Sequence, residues 1–357
     1  MRGILLFIAA VAFAPMTMLR AQQLPPVEPP KPMPAAQGAA PSLRVTTTEV
    51  LVPTLVEEKG GGILYGLKPS DFILEDNDVP QKIKVQPEMD TAPVALVVAV
   101  EQGGASVLEF DKLARLGPLL DVFLFDPQSQ VALVGFDSAP HLIQDFTHSG
   151  DQVNKELTEL RPGNGGAAIL DTVNYAVTLL ESQPKEYRRV LLLISEERDH
   201  GSKHTRPVQL IRKIGESDVL VLSVSFSLGL AEFTSGMGRR NYGQTTRAEA
   251  PTPGLPQQTA AGNLLAPLLM AVNATKKNVT KEVAEMSGGE YTTFFGDKAF
   301  QAEIMRAARD ARNRYLISFS PSDPTPGLHT IRVRTAENYG ARIVARVNYW
   351  RDAQGRE

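Results

Sequence analysis

The chain has 357 residues, 43% hydrophobic and 22% charged, with 37 basic against 40 acidic side chains and a formal net charge of −3. That length predicts two or three folding units, and the composition supports packed cores rather than general disorder. A charge so close to balance supplies no long-range field for nucleic acid or an anionic membrane surface, and the absence of cysteine excludes disulfides, thiol catalysis and cysteine-bound metal.

Arg2, the apolar stretch from Ile4 to Phe13 and the small residue Ala21 predict a signal peptide over 1–21, and hence a secreted or periplasmic protein without a transmembrane domain in the mature chain. Residues 22–41 alternate proline with small and polar residues, the composition of an extended tether. A β segment over 42–92 follows, with strands at Leu43–Glu57 and Asp71–Val85 and a turn at Asp76-Asn77-Asp78. Val94 to Val100 is a continuous apolar run suited to a strand buried on both faces. Val107, Phe110, Leu113, Leu116, Leu120 and Phe123, spaced three or four apart, predict one helix after it. Strands at Val131–Phe136, Val190–Ile194 and Val219–Val224 then alternate with helices marked by Ile169, Val173, Val177 and Leu180 and by Thr205 to Gly215. Residues 228–263 form a Gly-, Pro-, Gln- and Thr-rich insertion after the last of these strands. Gly288 and Gly289 close a further helix, Tyr291–Phe295 is a strand, and Phe300, Ile304, Ala307 and Ala311 stripe the last helix. Such alternation over 93–313 predicts an α/β fold of the Rossmann-like, doubly wound kind, its mostly parallel sheet covered on both faces. Over 314–357 the helical period stops, and Tyr315–Phe319, His329–Thr335 and Ile343–Trp350 read as strands. Neither flank has enough strands to stand alone, so together they predict a small all-β, sandwich-like domain built from both ends of the chain.

The order of strands and helices resembles the von Willebrand factor A (VWA) domain, and the flanks resemble the VWA-related proteins common in Acidobacteria. The matching segments are Leu67 to Gln81, Gly165 to Asp171, Val190 to Asp199 and Arg314 to Pro321, so the resemblance covers nearly everything after the tether. It implies a binding or adhesion domain, whose usual feature is a metal-ion-dependent adhesion site made of an Asp-x-Ser-x-Ser motif, a Thr and a second Asp. Hard divalent cations favour such short oxygen donors. Carried over, the first Asp is Glu101, the two Ser are Gly103 and Ala105, the Thr is Ala167 and the second Asp is Glu196. All five depart from the pattern. Three hydroxyl donors are gone and both carboxylates stand one methylene further out. The resemblance therefore implies a degenerate site in an exported, non-enzymatic protein that recognises a protein or cell-envelope ligand without a cofactor. The alternatives are an adhesion module still dependent on Mg2+, Mn2+ or Ca2+ held by Glu101 and Glu196, and a structural envelope scaffold. Glu101, Ser106, Glu196 and Asp199, with Arg239, Arg240 and Arg247 of the insertion, are the candidates for partner contact, because a parallel sheet presents its strand ends on one side.

Other signals point elsewhere. Asp199, His200 and His204 lack the helical placement that makes such spacing a metal motif, and read as a polar loop. Asn273-Ala-Thr275 and Asn278-Val-Thr280 match the glycosylation acceptor pattern inside a stretch that looks helical. Trp350 reads as packing at the sandwich edge. A hydrolase reading meets no Gly-x-Ser-x-Gly elbow and no His–Asp relay near Ser195, and there is no phosphate-binding Gly-x-x-x-x-Gly-Lys loop.

Overall fold

A computed structural model describes residues 49–86, 92–226 and 265–352, all within one compact unit that begins at Thr47. The expected signal peptide, the tether and the insertion carrying Arg239, Arg240 and Arg247 lie outside the described residues. No helix among the described residues is long and apolar enough to cross a membrane.

The N-terminal flank supplies β1 (Val50–Glu57), β2 (Phe72–Asp76), β3 (Val79–Pro80) and β4 (Ile83–Gln86). Asn77 and Asp78 both take positive φ, 48° and 65°, and form the two-residue turn that joins β2 to β3. Asn and Asp tolerate that backbone better than other side chains, so the predicted turn has its physical cause in those residues.

The α/β unit is built on β5 (Val94–Glu101), β6 (Gln130–Phe136), β7 (Pro140–Thr147), β8 (Arg188–Ser195), β9 (Leu220–Phe226) and β10 (Tyr291–Phe294), in the sheet order β10-β9-β8-β5-β6-β7. All pairings are parallel except β6 with β7. Alternate residues of β5 feed two cores. Ala95, Val97 and Ala99 face the helices α4 (Ile169–Glu181), α5 (Pro207–Glu216) and α7 (Val279–Ser287), with α6 (Leu265–Lys277) packed outside them. Val94, Leu96, Val98 and Val100 face α3 (Gly150–Thr158) and α8 (Gly296–Arg312). A strand covered on both sides has no polar face to show, hence its unbroken apolar run.

Two sequence expectations are corrected here, and two elements are added to them. The single helix expected from Val107 to Phe123 is a 3-10 turn over Gly104–Glu109 followed by two short helices, α1 (Phe110–Leu113) and α2 (Gly117–Leu120). Pro118, in the first turn of α2, has no N–H to bond back to the preceding turn, so the helix cannot run through it unbroken, yet Leu113, Leu116, Leu120 and Phe123 still reach the core. The edge strand β7 and the helix α3 had no counterpart in the sequence reading. β7 buries no residue fully, although Ser149 caps α3 by accepting the Gln152 N–H. Finally, the strand expected over Ile343–Trp350 is two strands in different sheets, β13 (Arg342–Ala345) and β14 (Asn348–Arg351).

With β11 (Tyr315–Phe319) and β12 (Gly327–Thr335), these form two antiparallel sheets, β13-β1-β11-β4 and β14-β12-β2-β3. Each mixes N- and C-terminal strands. Val52, Leu74, Ile317, Phe319 and Tyr349 from both sheets share one core, which makes the flank a sandwich assembled from the two ends of the chain.

The break between β13 and β14 is made by Arg346. Its guanidinium is buried and donates to the carbonyls of Ile214 (3.1 Å), Gly215 (3.2 Å) and Ser217 (3.2 Å) at the end of α5, and to Leu51 of β1 (3.4 Å). Burial lowers its pKa to about 10, so it remains a cation on the negative end of the helix. Trp350 packs beside it against Gly215 and under Arg212, as an edge-packing residue.

Candidate functional site

In an open parallel sheet the binding crevice lies beyond the carboxyl ends of the strands where the winding direction reverses. Here the chain runs outward from β5 to β6 and β7, then returns to β8 on the other side of β5, so the reversal falls between β5 and β8. Glu101 ends β5 and Glu196 follows β8 directly, which brings these two candidates together. Glu101 Oε2 accepts the Glu196 N–H at 2.9 Å, and both residues are buried. Burial pushes the Glu101 carboxyl up to about 8; the Glu196 N–H opposes that rise and the Glu196 carboxylate adds to it. Glu196 is raised by burial too, partly offset by His200, whose Nε2 lies against its Oε1.

Around this pair the backbone leaves little room. A Cβ at Gly103 would lie 2.2 Å from the Gly166 carbonyl oxygen and 2.8 Å from that of Asn164, so only glycine fits against the Gly163–Gly166 loop. That loop is tied to the end of β6: Asp137 accepts the Asn164 N–H (3.0 Å), Asn164 accepts the Ser138 N–H (3.2 Å), and Ala168 donates to the Asp137 carbonyl (2.7 Å). Ala167 is fully buried, and its carbonyl accepts the His200 N–H at 3.1 Å. Ala105 lies in the 3-10 turn after Gly103.

Two predicted contact residues are turned inward. The Ser106 hydroxyl donates to the Gly103 carbonyl at 2.5 Å, and the residue is 1% exposed. Asp199 accepts from Leu170 N–H (3.0 Å) and Ser202 (2.5 Å), which stitches its loop to α4. The exposed large apolar groups at this edge are Val107 and Leu108, 37% and 68% exposed, together with Phe295 at the end of β10 (56%). None was singled out as a contact residue from sequence, though Leu108 falls off the buried stripe of its segment and signals exposure for that reason.

Asp171 was also missed as a site-shaping residue. It stands in the first turn of α4 and its carboxylate accepts the N–H groups of Lys203 (2.8 Å), His204 (3.2 Å) and Thr205 (2.6 Å). Burial works against its charge, but those donors outweigh it and hold the carboxyl below its ordinary range. The loop after β8 is thereby clamped to α4 from both ends, by Asp171 and by Asp199.

The second glycosylation pattern has a structural role here. Asn278 caps α7 by accepting the Lys281 N–H at 2.8 Å, and Thr275 and Thr280 are buried. Ser195 is fully buried, with its hydroxyl on the Glu196 carbonyl.

Solved structures with a similar fold include BatB, a conserved hypothetical protein from Bacteroides thetaiotaomicron (16% identity, 60% of this chain and 99% of that one, TM-score 0.38). A von Willebrand factor type A protein from Catenulispora acidiphila matches 87% of this chain and 76% of its own at 6% identity (TM-score 0.43). Proximal thread matrix protein 1 of the mussel byssus matches 38% of this chain at 13% identity (TM-score 0.33), and this chain spans 39% of its length. No curated protein sequence matches. Residues 107–198 match the von Willebrand factor type A domain family: the chain carries a VWA domain.

Proposed function

We propose that this is an exported, non-enzymatic binding protein whose VWA domain holds a protein or cell-envelope ligand at the carboxyl edge of its sheet without an intervening cation. The observation that carries this reading is the Gly166 carbonyl lying where a side chain at position 103 would stand. A divalent cation needs six or more oxygen ligands at about 2.0–2.6 Å. At this edge Gly103, Ala105 and Ala167 offer no side-chain donor, and Glu101 Oε2 is already engaged by the Glu196 N–H. The residues present do not fit the ion, and the edge is a metal-ion-dependent adhesion site that the backbone has closed. Exposed Val107 and Leu108 supply apolar contact area in its place. The N-terminal pattern of Arg2, the apolar stretch and Ala21 supports export. The buried, unactivated Ser195 supports a non-catalytic role.

The test is cosedimentation of the protein with purified cell envelopes, in chelator and in excess Mg2+, for the wild type and Leu108→Glu. Retention that survives chelator and is lost in Leu108→Glu is expected. Retention that requires the cation would sink the reading.

A further inference from the structure

The sandwich and the α/β unit meet along a seam of ion pairs in which the carboxylates are buried and the arginines Arg309 and Arg342 are half exposed. Glu57 at the end of β1 binds Arg342 of β13 at 2.5 Å and Arg309 of α8 at 3.1 Å. Arg342 reaches on to Glu290, just before β10, at 2.5 Å. Arg309 holds Asp310 at 2.6 Å, and Asp310 stands within hydrogen-bonding reach of Glu290. These five side chains close a ring. Arg314, which leads into β11, covers it by donating to the carbonyls of Asp310 (3.0 Å) and Gly288 (2.6 Å). Arg306 of α8 also acts on Glu290, and Arg188 of β8 acts on Arg314. Glu57, Glu290 and Asp310 are all buried, Asp310 completely.

The ring has one gap in its hydrogen bonding. Arg309 occupies Asp310 Oδ1, whereas Oδ2 is buried and has no donor among the described residues. The Glu290 carboxylate beside it cannot donate unless a proton is present. Two bare carboxylates buried in contact repel; one proton between them makes a short, charge-assisted bond and removes the orphan. The two titrations separate as such a pair should. Burial and Glu290 push Asp310 up to about 7, while Asp310, Arg342 and Arg306 overcome the burial of Glu290 and hold it below its ordinary range.

We propose that this seam is a proton-loaded latch: Asp310 donates to Glu290 through one shared proton, and losing that proton above neutral pH loosens the joint between sandwich and α/β unit. The sign follows from linkage. The folded protein keeps a proton that the unfolded chain releases near pH 4, so the folding equilibrium weakens as pH rises from about 4 to about 7, by up to tenfold per unit, and levels off above.

The experiment is a carboxyl-carbon NMR titration of the full chain with labelled aspartate, alongside melting curves of the wild type, Asp310→Asn and Glu290→Gln at pH 5 and pH 9. An Asp310 carboxyl that titrates near neutrality is expected. Asp310→Asn, whose amide donates without a proton, should gain on the wild type in melting temperature between pH 5 and pH 9, and β13 amides should lose exchange protection above neutral pH only in the wild type. An Asp310 carboxyl titrating below pH 5 overturns the proposal, and so does a gap between variant and wild type that is the same at both pH values. If neither variant folds, the wild-type titration decides.

Discussion

Two carboxylates in this molecule are each 1% exposed, Glu101 at the sheet edge and Asp76 in the sandwich, and the fold treats them in opposite ways. Asp76 receives a donor on each oxygen, His329 Nδ1 at 2.9 Å and the Tyr349 hydroxyl at 2.8 Å, and the far His329 nitrogen is held by the Thr325 carbonyl at 2.7 Å. Burial alone would strip His329 of its charge, but Asp76 and that carbonyl outweigh it and raise its pKa. Glu101 receives one backbone N–H, faces a second carboxylate and is pushed up to about 8. A carboxylate, a histidine and a hydroxyl in contact look like a catalytic trio on paper. In the sandwich they are a sealed structural knot, while the unfinished arrangement stands at the sheet edge beside exposed apolar side chains. What separates the two carboxylates is the number of donors each receives, not burial itself.

The contrast can be broken first at the knot. His329→Ala leaves Asp76 buried without its main partner and should cost about 3–5 kcal/mol in denaturant unfolding; a loss near zero would mean that the trio holds nothing together. At the sheet edge, Gly103→Ser restores a hydroxyl that the family pattern carries, yet it meets the Gly166 carbonyl. It should destabilise by about 1–3 kcal/mol and give no melting-temperature rise in Mg2+, Mn2+ or Ca2+. A cation-dependent rise there would show that the edge opens easily. Glu101→Gln sharpens the electrostatic half. Because the folded carboxyl is raised above its ordinary value of 4.5, folding takes up a proton, and stability from this group falls as pH rises from about 4.5 to about 8. Removing the group should flatten the stability–pH curve by up to about 1.4 kcal/mol per unit in that window. The smallest expected effect is that of Leu108→Glu, within about 0.5 kcal/mol of the wild type on unfolding because the side chain is 68% exposed; its consequence should be confined to ligand retention.

The layers of this fold were legible because burial imposes a period on the sequence. The apolar runs of β5, β8 and β9, the Asn77-Asp78 turn and the Gly288 cap each record a local requirement. The pairing of the two flanks was legible from strand number alone. What could not be read depends on residues far apart in the chain. Nothing near Arg346 announces that its carbonyl partners lie at the end of α5, and nothing near Gly103 announces Gly166. The same holds for the site. Glu101 and Glu196 were placed together by the resemblance, and the structure brings them into contact. Ser106 and Asp199 have the right chemistry at the right chain position, but local hydrogen bonds claim both.

The β1–β11 pairing sets the order in which the molecule is assembled. Ser318 and Glu49, hydrogen-bonded beside it, are 269 residues apart. Closing a loop of that size is entropically unfavourable and is compensated only once the whole sandwich core forms. During synthesis β1 to β4 therefore emerge with open edges and wait for β11 to β14, while the α/β unit, whose strands are nearer in sequence, can condense first. Ribosome-bound chains stopped before β11 should present a folded sheet carrying an unpaired, aggregation-prone β leader. The segment that gives β1 its partner is made only after the whole α/β unit.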